Sequence, residues 1–347
     1  MENSEGNVTK KVTAREVADA LGLSAMTVSR ALNNRPNVDP ETRKRVIETA
    51  ERLGYFPNHI AKSLVLRKTN TIGVIVPEIT HSFFPEVVRG IEEICYTKGY
   101  DLILCHSAED GFRERNAIQT LISKQVDGLL ISTAQTVTDY DTYIQVIHRG
   151  IPLVFYDRCV KDIGANCVSI DDEESAALIT EHLIQHGYQR IGHISGPRQV
   201  LIGRARQQGF VQALQKHQLT VHPELIVEAG FHEKDGYQAM QTLLQLPAEQ
   251  RPQAVIAVND PAAFGAMKAI YEFGLRIPED MAIAGFSDDI RAELMRAPLT
   301  TIRQNAYEVG RRAVMKLIEL IEEKSDDIEN IIVKGELVIR RSCGCQV

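Results

Sequence analysis

Two periodicities divide the chain. Over the first 55 residues apolar positions recur at helical spacing; from Thr71 onward short apolar runs alternate with amphipathic stretches. In the first part, Thr13 and Glu16 have the spacing of a capping box, and Val17, Ala20 and Leu21 follow as an i, i+3, i+4 stripe, with Gly22 placed to end the helix. Ser24 predicts the cap of a second helix from Ala25 to about Asn33, with Val28, Ala31 and Leu32 turned inward. Asp39 caps a third, with Pro40 at the first helical position; Val46, Ile47, Ala50 and Leu53 are its expected inner face, and Gly54 stops it. In the second part, TIGVIVP, YDLILC, VDGLLIS, PLVFYD, RIGHIS, QAVIAV and MAIAGF read as strands. Helices are expected between them over Phe84–Lys98, Glu114–Lys124, Ser175–His186, Arg204–His217, Asp235–Leu246 and Ala262–Phe273. Such alternation predicts an α/β fold of doubly wound parallel sheets, and its length suits two lobes better than one.

A helix, a tight glycine turn and a second helix with a polar outer face is a helix-turn-helix arrangement, although spacing alone equally allows a small helical bundle with a solvated face. On that outer face Arg30 can pair bidentately with a guanine edge, and Ala25 and Met26 can touch thymine methyls. Ser24, Thr27 and Ser29 can reach phosphates.

Charge sharpens this picture. The 347-residue chain carries a net charge of −7, unlike a nucleic-acid binder as a whole. Residues 1–70, however, hold 12 Lys/Arg against 8 Asp/Glu, and the remainder 27 against 38, which is a basic head on an acidic body. No run approaches the roughly 18 apolar residues of a membrane span, and the polar start MENSEGNVTKK lacks the apolar segment of a signal peptide, so a cytoplasmic protein without membrane partners is expected. The six cysteines are then expected as thiols. Cys343 and Cys345 stand at the end with no second cysteine pair, and the ten histidines offer no evident ligand spacing, so neither metal nor cofactor is expected. No GxSxG, P-loop or HExxH occurs, and no GxGxxG follows the first strand, which argues against an enzyme.

The runs VTAREVADALGLSAMTVSRALN, TRKRVIETAERLGYFPN and AKSL, followed in order by IGVIVP, FFPEVVRGIE, VDGLLI, RIGHISGP, AVND, IAGFSDD and LTTIRQ, closely resemble the lactose-repressor (LacI/GalR) family of bacterial transcription regulators from about Val12 to Arg341. The resemblance implies an all-α helix-turn-helix head (1–57), a hinge helix and linker (58–70), and a two-lobed periplasmic-binding-protein-like sensor and dimerisation domain (71–347) with three chain crossings. Thr13, Asn33, Asn58 and Lys62 join the expected DNA contacts. A hinge this short is not stable alone. The resemblance implies that it folds on operator DNA, with Leu64 as a minor-groove wedge; a plain linker helix is the alternative.

In open parallel sheets the ligand sits beyond the carboxyl ends of the strands. Phe83, Phe84, Asp157, Arg158, Arg204, Arg206, Asn259, Asp260, Ser287 and Asp288 fall there. Of these, Phe83, Phe84, Asp157, Arg206 and Asn259, together with Phe231 and Gln304, match the family's effector-binding pattern. Asp260, before Pro261, reads first as a helix N-cap. Where many sugar-sensing relatives carry paired aspartates after GF, Ser287 precedes Asp288 and Asp289 here, so Asp288 is the expected replacement. These features predict a ligand-responsive regulator, a repressor in its simplest form, that binds double-stranded operator DNA as a homodimer and senses a sugar-like effector. A purine or a phosphorylated carrier protein remains the alternative signal. A solute receptor would need a leader and no head.

Overall fold

The computed structural model describes residues 12–55, 68–323 and 327–346. The chain divides into two units, Met1–Thr69 and Asn70–Val347.

In the first unit α1 (Ala14–Leu21), α2 (Ala25–Leu32) and α3 (Pro40–Leu53) close over Val17, Ala18, Val28, Ala31, Val46 and Ala50. The Thr13–Glu16 capping box forms, Ser24 accepts from the Thr27 amide and Asp39 from that of Thr42, and Gly22 and Gly54 end their helices with left-handed backbone. Two apolar assignments shift. Ala18 rather than Ala20 faces the core, and in α3 Ile47 and Leu53 are exposed while Thr49 joins the expected Val46 and Ala50 inside. The helices are so short that one small residue next to the stripe is enough to close them.

The second unit has two lobes. One is a six-stranded parallel sheet made of β1 (Thr71–Val76), β2 (Asp101–His106), β3 (Gly128–Ile131), β4 (Leu153–Tyr156), β5 (Asn166–Ile170) and β11 (Asn330–Val333), in the order β11-β5-β4-β3-β1-β2. Helices α4 (Phe83–Lys98), α5 (Gly111–Ser123), α6 (Asp141–His148) and α11 (Ala306–Glu323) cover it. The other lobe is a four-stranded parallel sheet of β6 (Ile191–Ser195), β7 (Ile226–Glu228), β8 (Ala254–Ala257) and β9 (Ala282–Ala284), in the order β7-β6-β8-β9. Its helices are α7 (Asp172–Gln185), α8 (Leu201–Lys216), α9 (Glu233–Leu244) and α10 (Asp260–Glu272). A short antiparallel pair, β10 (Thr301–Arg303) with β12 (Glu336–Val338), lies beside β9, bridged to it at Ala284–Thr300 and beyond it at Ser287–Arg303. The chain crosses between lobes three times: after β5, after β10 and after β11.

Helix pairs approach closely where glycines face each other. A Cβ on Gly265 would run into the Glu233 carbonyl, and one on Gly236 into the Ala262 carbonyl, so α9 and α10 pack backbone to backbone. In the smaller sheet β7, β8 and β9 run on to Phe231, Asn259 and Ser287, which face the other lobe, and Asp157, after β4 of the larger sheet, takes a left-handed backbone with φ 59°. Cys159 and Cys167 are joined in a disulfide, which corrects the expectation of six thiols. Cys167 pairs in register with Phe155, and the chain leaving β4 brings Cys159 back beside it; an eight-residue separation in sequence does not announce that neighbourhood.

Candidate functional site

The head presents α2 with Ser24, Ala25, Met26, Ser29, Arg30 and Asn33 exposed and Thr27 half-buried. Met26 is 66 % exposed, a large apolar side chain kept in water on a helix whose other face is fully packed. The Asn33 amide caps the helix by donating to the Ser29 carbonyl at 2.8 Å, and the Ser24 and Thr27 hydroxyls lie 2.9 Å apart. Thr13 is spent on its capping box, holding α1 in place. Arg43 of α3 ties the loop between α2 and α3 through the Asn34 side chain and, at 2.6 Å, the Arg35 carbonyl. Asn58, Lys62 and Leu64 lie outside the described residues.

Between the lobes, at the carboxyl ends of both sheets, a cleft is lined by Glu78, His81, Phe83, Phe84, Asp157, Arg158, Ile202, Arg206, Phe231, His232, Asn259, Pro261, Ser287, Asp289 and Gln304, and encloses about 50 Å³. Phe83, Phe84, Asp157, Arg206, Phe231, Asn259 and Gln304 thus come together from six separate places in the chain. Arg204 does not join them. It lies two residues before Arg206 on α8, on the exposed side, because a helix turns about 100° per residue. Asp288 is also turned away: Arg303 donates to it at 2.8 Å and Arg340 at 2.7 Å, so its neighbours Ser287 and Asp289 line the cleft instead. The N-cap of α10 is Asn259, which accepts from Ala262 at 2.9 Å, and not Asp260. Asp260 is fully buried, accepting from the Thr301 hydroxyl at 2.6 Å and the Asp289 amide at 2.7 Å. Asn259 also donates to the Phe231 carbonyl at 2.8 Å, so it shapes the wall as well as lining it.

The electrostatics are those of a dry, charged pocket. Burial pushes the Asp157 carboxyl up to about 7, against the pull of Arg158 and Arg206. Arg206 donates to buried Asp172 at 2.8 Å and to the Val258 carbonyl, and its guanidinium lies 3.8 Å over the Phe286 ring. Arg158 pairs with Glu109 at 2.8 Å and covers the Phe231 ring at 4.5 Å, a contact made across the lobes. Its Nε is buried, makes no hydrogen bond among the described residues, and lies 3.8 Å from the Asp157 carboxylate. Guanidinium and ring therefore offer one aromatic face and one unspent donor to a ligand.

Sequence reasoning missed the groups at the mouth of the cleft. His81, in the loop after β1, bridges Glu78 of its own lobe at 3.1 Å and Glu233 of the other at 3.2 Å. Arg291 continues the chain, holding Glu233 at 2.8 Å and Asp289 at 2.9 Å, and the Ser82 amide reaches Asp289 at 3.5 Å. Burial opposes charge on His81, but the carboxylates of Glu78 and Glu233 prevail and raise it above its ordinary value. The legible signal was the polar run EITHS directly after an apolar strand.

A DNA-reading helical head joined to a two-lobed binding body defines a ligand-responsive transcription regulator. Residues 13–58 match the model for "Bacterial regulatory proteins, lacI family", and residues 69–341 that for "Periplasmic binding proteins and sugar binding domain of LacI family". The chain belongs to the LacI family. It is 36% identical over 335 residues to the HTH-type transcriptional repressor PurR of Haemophilus influenzae (strain PittEE), covering 95% of this chain and 98% of that one. Among solved structures it resembles the Lac repressor dimer bound to operator and the anti-inducer ONPF, with 27% identity, a TM-score of 0.85, and 96% and 99% of the two chains covered. It likewise resembles the transcriptional regulator CelR–cellobiose complex, with 27% identity, a TM-score of 0.74, and 96% and 100% covered. Repressors of this family bind operator DNA as dimers and answer to small-molecule effectors; this chain is a transcriptional repressor and not an enzyme. Among the described residues no helix is long and apolar enough to cross a membrane.

Proposed function

We propose that the repressor is controlled by a small, uncharged, hydroxyl-rich ring, a sugar or sugar derivative, bound in the inter-lobe cleft, and that it acts in the cytoplasm as a dimer. The observation that carries this is the Arg158–Phe231 stack at 4.5 Å beside the buried carboxyl of Asp157. An aromatic face suits the apolar side of a sugar ring, and carboxylate and guanidinium edges suit vicinal hydroxyls. Phe83, Phe84, Arg206 and Gln304 complete the wall, with Asn259 in support; Arg204 and Asp288 are left out for the reasons above. A purine is the second reading. It is favoured by Ser287 standing where a carboxylate would meet a hydroxyl, and by aromatic rings from both lobes that would sandwich a flat base. At the other end of the chain Arg30 would read a guanine edge, with Ala25 and Met26 on thymine methyls and Thr13, Ser24, Thr27, Ser29 and Asn33 at the backbone. Asn58, Lys62 and Leu64 would complete the interface from the hinge, residues 58–70, between head and sensor.

A thermal-shift panel of monosaccharides, disaccharides and purine bases on the full chain tests the effector class. Stabilisation by a sugar that Phe231→Ala abolishes is expected; stabilisation by purines alone would replace the first reading with the second. A ligand that stabilises wild type and the Phe231→Ala variant equally would remove the cleft as the sensor.

A further inference from the structure

The last residues of the chain meet α7 in an arrangement unrelated to the cleft. His182 lies in the last turn of that helix and His186, four residues on, is its C-cap, which brings both rings to one face, with centroids 4.8 Å apart. Opposite them lies Cys343-Gly344-Cys345. Gly344 has φ 98°, a left-handed backbone that reverses the chain and presents both thiols toward the two rings. The Cys345 sulfur is 3.0 Å from His186 Nε2 and 3.8 Å from His182 Nε2, and the Cys343 sulfur is 3.3 Å from His182 Nε2. All four donor atoms lie within 4.8 Å of one another.

We propose that His182, His186, Cys343 and Cys345 form a tetrahedral site for zinc(II). A zinc ion with bonds of about 2.0–2.1 Å to nitrogen and 2.3 Å to sulfur needs its ligands about 3.3–3.8 Å apart. The present separations therefore need adjustments of about 1 Å at most. Two thiolates with two imidazoles suit zinc better than magnesium or calcium, which take oxygen. With four protein ligands and no open position the site is structural. The ligands are also held from behind, as metal ligands commonly are. Thr300 donates to the Cys343 sulfur at 3.1 Å, the Tyr188 hydroxyl to the Cys343 carbonyl at 3.1 Å, and the Ser342 hydroxyl to the Ile283 carbonyl at 2.6 Å. Cys343 is completely buried and His182 nearly so, while Cys345 and His186 close the site from the outer side. Binding takes one zinc ion, releases a proton from each thiol and staples the C-terminal segment to α7. The sequence showed only half of this constellation, because the two cysteines find their partners across 159 residues or more and not in a second cysteine pair.

The test uses untagged full-length protein, purified with reductant, and elemental analysis. The expected result is about one zinc per chain, or its uptake on reconstitution, with cobalt(II) giving the intense visible bands of a tetrahedral thiolate complex. His186→Ala and Cys345→Ser, both at the outer side, should each lower zinc content at least tenfold while operator binding persists. Chelation should lower the unfolding temperature of wild type and leave that of the two variants where it was. Failure of the reduced wild type to bind zinc or cobalt would overturn the proposal, as would equal zinc in wild type and both variants or a Cys343–Cys345 disulfide in freshly purified protein.

Discussion

At the scale of single residues, the cleft depends on charges that would be costly without their partners. Arg206 and Asp172 are both buried and joined at 2.8 Å. Removing one leaves an uncompensated charge, so Arg206→Ala should cost about 3–5 kcal/mol in urea unfolding of the body. Asp172→Asn in the same chain should recover part of that loss, because the stranded carboxylate is then gone. Additive losses in the two changes would mean that the pair is not coupled. The effector response must accordingly be judged at Phe231 or Gln304, whose truncation strands no buried ion. In the head the energetics are simpler, since Arg30 is exposed and forms no pair described in the structure. Arg30→Ala should reduce discrimination between operator and altered operator by about 1–3 kcal/mol for the base pair it reads, with little change in folding. A titration in which both DNAs weaken equally would make Arg30 a phosphate contact.

At the scale of elements, the head was almost wholly legible because its signals are local: a cap, a stripe and a glycine for each helix. The body's strands were legible as apolar runs for the same reason. Its helices were read as starting late. Asp172 and Glu233 begin helices that the apolar pattern places at Ser175 and Asp235, because acidic first turns carry the start before any stripe appears. Of the elements not foreseen, α6, β5, β7 and β10 to β12 are short or depend on pairing with distant strands, as β11 does with β5, whereas α11, with 18 residues, was simply passed over. The cleft residues were readable from strand ends, but the direction of a side chain after a left-handed residue was not, and Asp288, with φ 56°, is the case in point. Close helix packing was hidden too, since a glycine inside a helix looks like a weakness until its neighbour is known. Gly265→Ala tests that packing. The new methyl meets the Glu233 carbonyl at the start of α9, so a loss of about 1–3 kcal/mol is expected from overpacking, measured by chemical denaturation. A neutral or stabilising result would mean that the two helices separate freely.

At the scale of the whole sensor, function requires two lobe arrangements that an effector tells apart, and coupling to operator that is reciprocal. The bridge from Glu78 through His81 to Glu233 belongs to the arrangement seen here, so it makes closure dependent on pH. The Glu78 half of the bridge lies within one loop and is kept whether the cleft is open or shut; the Glu233 half, which helps to raise His81, is made only across the lobes. A histidine raised further by the Glu233 contact favours closure while it is charged and loses that contribution as pH climbs through its closed value. Closure is therefore favoured while His81 is charged and weakens toward alkaline pH. Other charges at the bridge do not reverse the sign: Arg291 holds Glu233 in its ionised form throughout, and His232, with its ring 5.6 Å from that of His81, makes no ion pair among the described residues. Small-angle scattering of the ligand-free protein should report a more open sensor at about pH 8.5 than at about pH 6. His81→Gln keeps a polar side chain of similar reach but cannot take the charge, so its scattering should change little over the same interval. If the variant opens with pH as the wild type does, some other group controls the mouth of the cleft and the bridge is only a consequence of closure.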